Sequence, residues 1–205
     1  YGDHRDLHLS LRRQRQMCIR DRLLIVSCAD VNNSNAVSDE NQAKFEQHIE
    51  SFRTFAKGFN AEDMEMTLSV VSEDVQWSPP YYNGGQLVGY DEFKSAVQGY
   101  FDNFDEIEFM EGEGPNMNPN ADPNENSAYW SGSLYSSATP TDNPDGLRVY
   151  GVWKWKHTET GAEGGNKWYG LINFGDDGKI SGFSDWMDVN GMAVQIEQYL
   201  ESSKN

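Results

Sequence analysis

Apolar side chains recur at helical spacing in four stretches of the chain, and this pattern predicts four amphipathic helices. The first helix begins after Ser38, a capping residue that is followed by Asp39 and Glu40. The second begins soon after Asn60, and the last follows Asn190, which is placed to cap it. The inward positions of the four helices are Phe45, Ile49, Phe52, Ala56 and Phe59; Met64, Leu68 and Val71; Phe93, Val97, Tyr100 and Phe101; and Met192, Ile196, Tyr199 and Leu200.

Segments rich in aromatic and β-branched residues, bounded by Gly, Pro, Asn and Asp, predict the strands. An Asp-Asp-Gly turn at 176–178 is a strong hairpin signal between the last two of them. Residues 112–126 contain three Pro and five Asn and predict a long irregular loop. The predicted strands cover residues 75–78, 106–111, 127–136, 147–158, 167–174 and 179–187.

The order of these elements indicates a fold class. Two helices, a short strand and a third helix precede a meander of longer strands, and a final helix follows. This order predicts an α+β domain in which helices pack on the concave side of a curved antiparallel sheet. Residues 38–205 form this domain, and their number is sufficient for a single hydrophobic core.

Residues 1–22 are interpreted separately from the domain. They contain six Arg, and read literally a basic arm of this kind is typical of nucleic-acid binding. However, residues 17–22 back-translate to a codon run that matches the end sequence of a transposase used to prepare sequencing libraries. We therefore interpret residues 1–22 as a non-native, adaptor-derived segment and exclude them from the fold.

Residues 23–37 contain a short apolar run and the start of a polar tether. The run Leu-Leu-Ile-Val-Ser-Cys, which ends at Cys28, resembles a bacterial lipobox, in which the cysteine becomes lipidated. The alternative is a short apolar strand with an ordinary cysteine. The polar stretch 29–39 favours the lipobox. We therefore expect a lipoprotein of the bacterial cell envelope, which contacts the membrane only through Cys28 and faces the periplasm or the exterior.

The charge balance restricts the possible partners. The chain has 33 acidic and 16 basic residues, a net charge of −17, and residues 29–205 alone carry a net charge of −20. Such an acidic surface repels nucleic acid and anionic membranes, so we expect no nucleic-acid partner. The sequence has no apolar run of about 18 residues that would predict a membrane helix. The only cysteines are Cys18 and Cys28, which excludes a disulfide within the domain.

Two regions at opposite ends of the domain resemble one superfamily. The first comprises residues 59–64 (Phe-Asn-Ala-Glu-Asp-Met) and 72–77 (Ser-Glu-Asp-Val-Gln-Trp), and the second is the last hairpin with Trp-Met-Asp at 186–188. Both resemble the nuclear-transport-factor-2-like superfamily, which includes the SnoaL-like polyketide cyclases. The resemblance covers residues 38–202 and implies a cone-shaped pocket between the sheet and the helices. It implies no single function, because this fold hosts enzymes, binders and scaffolds.

A concave apolar pocket with a few polar groups is the usual form of a small-molecule site. The aromatic side chains of the predicted strands and their flanking loops are candidates to line it, and packing in the core or in a dimer face is the alternative. Trp153 and Trp155 share one face of their strand. The candidate ligand-binding residues are Trp77, Tyr82, Trp130, Trp153, Trp155 and Tyr169.

Asp185 is a candidate catalytic residue. Residues 183–188 resemble the ending of limonene-epoxide-hydrolase-like members of the superfamily, in which the first Asp works as an acid inside the pocket, and Asp185 stands at that position. Alternation along the strand sends Phe183, Asp185 and Met187 to one face. Burial there would raise the pKa of the Asp185 carboxyl, and a surface position is the alternative. Asp188, at the strand–helix junction, is expected to cap the last helix.

His157 is the second candidate catalytic residue. It is the only histidine on a predicted strand of the domain, and a pair with Asp185 would be suited to general acid/base chemistry. A surface histidine is the alternative. Because the domain has only one other histidine, His48, and no cysteine, we expect no metal site. The loop that begins at Asp122 lacks the glycine and the distant glutamate of a calcium site, and no cofactor is expected.

For two mechanisms known in the superfamily, this chain lacks some of the required residues. Ketosteroid-isomerase-like members have a base and a tyrosine at positions that correspond here to Pro79 and Phe55, and neither side chain can replace them. Epoxide-hydrolase-like members need a second carboxylate beside an arginine on the strand two before the last. This chain has Arg148 on that strand, but the next acid, Glu159, falls in a turn.

The sequence therefore predicts a lipid-anchored domain that binds a small apolar or aromatic molecule in an aromatic pocket. The alternative is a SnoaL-like enzyme of the cyclase, isomerase or hydrolase type that uses Asp185 as a general acid or base. A purely structural domain is a third possibility. Members of this superfamily often pair through the convex face of the sheet, so a homodimer is also expected.

Overall fold

The computed structural model describes residues 38–111, 128–131, 144 and 146–204, apart from the side chains of Trp130 and Ser131. The segments 1–22 and 23–37, which include Cys28, and the predicted loop 112–126 lie outside these described residues. Within the described part of the chain, no helix is both long enough and apolar enough to cross a membrane.

The described residues form four helices and six strands in the order that the sequence predicts. The helices are α1 (Asp39–Asn60), α2 (Met64–Ser69), α3 (Tyr90–Asn103) and α4 (Gly191–Ser202). The strands are β1 (Val71–Ser78), β2 (Phe104–Glu111), β3 (Tyr129–Ser131), β4 (Gly146–His157), β5 (Glu163–Phe174) and β6 (Ile180–Met187).

The strands form one sheet in the order β1-β6-β5-β4-β2, and β3 also pairs with β4. The predicted α+β class is confirmed. Most pairs are antiparallel, as expected, but β1 runs parallel to β6, with Trp77 opposite Phe183. A parallel pair is possible at this edge because α3 and four strands separate β1 from β6 in the chain, so no tight turn fixes their relative direction.

Two strands, β1 and β5, begin four residues earlier than predicted. Val71, predicted as an inward position of the second helix, is the first residue of β1, where it pairs with Ile180 of β6. Pairing with the sheet therefore overrides the helical spacing of this short segment. β5 begins at Glu163, in a segment that the sequence predicts to be a turn, because Gly164 pairs with Trp155 of β4.

The core lies between α1 and the inner face of the sheet. Phe52, in the middle of α1, is completely buried and contacts rings from three strands. Its ring centroid lies 5.6 Å from that of Trp168, 5.2 Å from that of Phe109 and 6.1 Å from that of Tyr129. Aromatic pairs at these separations stabilise a core beyond the area that they bury.

A group of polar side chains fixes α1 to the edge of the sheet. Arg53 donates from Nε and Nη2 to the two carboxylate oxygens of Glu111 at 2.9 and 3.0 Å. The Tyr129 hydroxyl donates to the same carboxylate at 2.6 Å. The Arg53 hydrogen bond holds the pKa of Glu111 below its usual range. This group joins α1, β2 and β3, and thereby fixes the position of the helix over the sheet.

Gly58 sets the close approach of α1 to α2. A Cβ atom at this position would lie 2.5 Å from the backbone nitrogen of Thr67 and would also overlap the Thr67 hydroxyl. Gly58→Ala should therefore destabilise the domain by about 1–3 kcal/mol, because overpacking outweighs the better helix propensity of alanine. The measurement is the free energy of unfolding in urea.

Gly99 in α3 provides the matched control. A Cβ atom there would have no neighbour within 4 Å. Gly99→Ala should stabilise the domain by about 0.5–1 kcal/mol, since only the backbone entropy of the helix changes. Equal effects of the two substitutions would contradict the steric account of Gly58.

Candidate functional site

A cavity lies between the helices and the inner face of the sheet. Its volume is about 70 Å³, while one water molecule needs roughly 10–15 Å³ on this scale. It has room for a small ligand, or for one end of a larger one. Aromatic and aliphatic side chains form most of the wall. The lining residues are Phe55, Phe59, Trp77, Phe93, Ala96, Val97, Tyr100, Phe104, Ile107, Trp153, Trp155, Asn166, Trp168, Phe183, Asp185, Met187 and Met192.

Among the residues that the structure describes, Asp185 is the only acidic one that lines this cavity. It lies on β6, and alternation along the strand places it between Phe183 and Met187 in the cavity wall, as the sequence predicts. The indole N–H of Trp77 donates to Asp185 Oδ2 at 3.1 Å. Oδ1 is buried and has no hydrogen-bond partner among the described residues. One oxygen of the carboxylate is therefore held by the protein, and the other is unpartnered.

The surroundings of Asp185 shift its protonation. Burial raises the pKa of its carboxyl to about 7, although the hydrogen bond from Trp77 and the nearby indole N–H of Trp168 oppose the rise. Tyr100 on α3 lines the same cavity, and burial together with the Asp185 charge raises the pKa of its hydroxyl. Near neutral pH, both protonation states of Asp185 are therefore populated, while Tyr100 stays neutral and can donate a hydrogen bond.

Asn166 braces the wall of the cavity. Its Oδ1 accepts from the Trp155 indole N–H at 3.2 Å, and its Nδ2 donates to the Asp188 carbonyl at 2.9 Å. Asp188 in turn accepts from the backbone N–H groups of Asn190 and Gly191, both at 3.1 Å, at the start of α4. Asp188, rather than the Asn190 side chain, therefore caps this helix.

Glycines on β5 give the tryptophan rings their positions. A Cβ atom at Gly164 would lie 2.5 Å from Cζ2 of Trp155, and one at Gly170 would lie 2.7 Å from Cζ2 of Trp168. Both rings thus lie over the backbone of β5, where a larger residue would displace them. Gly170 is also directly opposite Asp185 in the β5–β6 register, so the Trp168 ring lies beside the carboxylate.

Four of the residues proposed from the sequence meet in the cavity wall, namely Trp77, Trp153, Trp155 and Asp185. Three others lie elsewhere. His157 accepts from or donates to the Thr160 hydroxyl at 2.9 Å through Nδ1 and is not a lining residue, so the proposed pair with Asp185 is not formed.

Tyr82 and Tyr169 also lie outside the cavity wall. Tyr82 is 92% exposed on the loop after β1. Tyr169 lies on the outer face of the sheet, where its ring stacks on Tyr150 with centroids 4.3 Å apart. The side chain of Trp130 is outside the described residues.

Sequence reasoning missed Trp168 and Tyr100 as site residues. Trp168 and Tyr169 are neighbours on β5 and necessarily face opposite sides, but the sequence does not show which side faces the helices. The buried Ile172 is a signal that was available, because it shares the face of Trp168 and not that of Tyr169. Tyr100 was assigned to the inward face of its helix, and only the fold places it beside Asp185.

No group of three or more potential metal ligands occurs in the part of the chain that the structure describes. The polar side chains that line the cavity are an amide, a carboxyl and a phenol. We therefore consider organic ligands for this cavity.

Comparisons with known proteins identify the fold. No protein-family profile and no curated protein matches the sequence. Among solved structures, a candidate polyketide cyclase from Xanthomonas campestris superposes with a TM-score of 0.51 at 14% identity, over 75% of this chain and 98% of that one. AclR, a candidate hydroxylase from Streptomyces galilaeus, superposes with a TM-score of 0.51 at 11% identity, over 75% of this chain and 98% of AclR. PrhC from Penicillium brasilianum superposes with a TM-score of 0.53 at 12% identity, over 78% of this chain and 92% of PrhC.

These identities are low, so the likeness concerns the fold alone. The chain has the nuclear-transport-factor-2-like fold, which is the fold that the resemblance inferred from the sequence implies.

The raised pKa of Asp185 has a consequence for stability. Between its ordinary value of 3.8 and its folded value of about 7, the folded state binds more protons than the unfolded state. The contribution of Asp185 to the free energy of unfolding should therefore fall as the pH rises through this range, while His48, whose pKa burial lowers to about 4, contributes with the opposite sign. At about 1.4 kcal/mol per pKa unit, the loss is on the order of 4 kcal/mol.

Asp185→Asn removes this titration. Its free energy of unfolding relative to the parent should increase between about pH 4 and pH 7 and stay constant above. Urea unfolding across this range checks the prediction, and Asp176→Asn, in the exposed β5–β6 turn, is the control. A constant difference between the Asp185 variant and the parent would show that the carboxyl is not desolvated.

Proposed function

We propose that this domain binds a small apolar or aromatic molecule in its aromatic cavity. The observation that supports the proposal is the unpartnered oxygen of Asp185 in a wall that is mostly apolar. A buried carboxylate oxygen without a hydrogen bond is costly, and a hydrogen-bond donor or a positive charge on an otherwise apolar or aromatic ligand would offset that cost. A cavity that is apolar apart from a few polar groups is the common form of a ligand site.

The packing of the wall argues against a purely structural role. Side chains from α1, α3, α4 and five strands surround the cavity without filling it. Protein interiors are ordinarily close-packed, and an empty space lined by large rings costs stability. A domain that served only as a scaffold would have no reason to keep both the space and a buried acid.

A SnoaL-like enzyme that uses Asp185 as a general acid or base is the second candidate. The pKa of about 7 supports it, since a proton-transfer group works best near the ambient pH. A candidate polyketide cyclase also shares the fold. In this proposal Tyr100 would donate a hydrogen bond to an oxygen on which charge develops. Pro79 and Phe55 remain unable to supply a second acid or base.

We also propose a homodimer formed through the outer face of the sheet. Tyr150 and Trp186 on this face are 46% and 58% exposed, and Tyr169, which stacks on Tyr150, lies opposite Trp186 in the β5–β6 register. Contiguous exposed aromatic side chains are typical of protein interfaces. Lipid attachment at Cys28 and a place in the cell envelope are part of the proposal on the basis of the sequence alone.

Filling the cavity tests the binding proposal. Ala96 lines the cavity from α3, and Ala96→Leu would place its side chain in the empty space. We expect the variant to stay folded and to bind a small neutral probe such as toluene at least about 10-fold more weakly, because the probe loses its space. Saturation-transfer NMR measures the affinity.

Tyr82→Ala and Tyr169→Ala are the controls for this experiment, since neither side chain lines the cavity. Unchanged probe binding in Ala96→Leu would overturn the cavity as the site. Asp185→Asn separates the two candidate functions. It abolishes turnover but leaves probe binding if the protein is an enzyme, and it changes affinity alone if the protein is a binder.

Trp186→Lys tests the dimer. A charged side chain at an exposed aromatic position of the outer face should prevent a second copy from packing there, because its desolvation is unfavourable. We expect the molar mass from light scattering to fall from that of two chains to that of one. Tyr82→Lys, on the exposed loop, should have no effect. A parent protein that is monomeric at high concentration would contradict the proposal.

A further inference from the structure

We propose that the ligand carries a cationic amine or quaternary ammonium group, which the aromatic cavity holds beside the carboxylate of Asp185. This inference rests on the proposed binding function and specifies its ligand class. Three independent features of the cavity support it, namely the carboxylate, the rings and the charges.

Only one of the two carboxylate oxygens of Asp185 has a hydrogen-bond partner among the described residues. Trp77 donates to Oδ2, and Oδ1 is buried without a partner among the described residues. An ionised carboxylate only accepts hydrogen bonds, so its free oxygen requires a donor or a positive charge. A cation supplies the Coulombic attraction that repays the cost of removing the charge from water, which a neutral apolar ligand does not.

The rings are of the kind that binds cations. Four tryptophans line one small cavity, and indole faces attract a cation more strongly than the other aromatic side chains do. Trp153 and Trp168 are nearly perpendicular, at 82°, with centroids 6.1 Å apart. The rings in the wall therefore have different orientations, and an indole face that a bound cation reaches would attract it.

The charges favour a cation over an anion. In the described part of the chain, no Lys, Arg or His lines the cavity. Of the groups that face Asp185 from α1, β1, α3, β2, β4, β5 and α4 in the described chain, only Tyr100 can titrate. A carboxylate or phosphate ligand would meet Asp185 without a compensating positive charge. The net charge of −17 also attracts cations to the protein.

The alternative is a neutral ligand with a carbonyl or hydroxyl group that accepts from protonated Asp185. The two possibilities differ in their response to pH. A cation prefers the ionised carboxylate, so its affinity should rise with pH through the range in which Asp185 ionises. A neutral acceptor prefers the protonated carboxyl, so its affinity should fall over the same range.

Choline and 3,3-dimethylbutan-1-ol are suitable probes, because they have nearly the same shape and differ in the charge of the head group. The choline charge also does not change with pH. Titration calorimetry between about pH 5 and pH 8.5 should show choline affinity rising, and about 10-fold tighter binding than the alcohol at the upper end.

Single substitutions test which residues produce the preference for the cationic probe. Asp185→Asn should lose about 10-fold in choline affinity and keep its affinity for the alcohol, since only the charge is removed. Trp153→Leu should lower the affinity for choline more than the affinity for the alcohol, because leucine keeps an apolar contact but has no π-face. Asp176→Asn, which removes an exposed charge, should leave both affinities unchanged. Circular dichroism confirms that each variant is folded.

Two results would overturn the inference. If the alcohol binds as tightly as choline, or if choline affinity falls with pH, the ligand is not a cation, and the binding proposal still stands. If neither probe binds, and toluene binding is also insensitive to Ala96→Leu, the cavity is not a ligand site and both proposals fail.

Discussion

The inner face of the sheet can hold an aromatic core only because glycines stand beneath the rings. A side chain on Gly164 or Gly170 would overlap the ring of Trp155 or Trp168. With glycine, these rings lie flat over β5, and Phe52 of α1 stacks on Trp168 from above. The separation between the helices and the sheet, and therefore the space that becomes the cavity, follows from this contact.

The same packing creates the unusual environment of Asp185. Because Gly170 is opposite Asp185 in the register, the Trp168 ring occupies the space that a side chain on β5 would otherwise fill. Trp77 approaches from β1 and donates a hydrogen bond to Oδ2. The carboxyl thus loses its water and gains little in return, which destabilises its charged form. Such a cost is usual at functional sites, where stability is traded for binding or chemistry.

The fold was predictable from the sequence to the extent that local patterns decide it. The helical spacing before and after Phe93 predicts α3, which the structure places at Tyr90–Asn103. β1 shows the limit of such patterns. Val71 fits a helical face in sequence, but its pairing with Ile180 makes it the first residue of a strand. Pairing between distant segments depends on the whole sheet, and no local window contains that information.

The sequence by itself determined the element order, the class of fold and the shared face of Phe183, Asp185 and Met187, because strand alternation is a local property. Only the tertiary structure decided which face of each strand lines the cavity. On β5, the side chain of Trp168 lines the cavity, and that of Tyr169 lies on the outer face of the sheet. Alternation fixes relative sides within one strand, but the absolute side depends on the register with neighbouring strands and on the helices that cover the sheet.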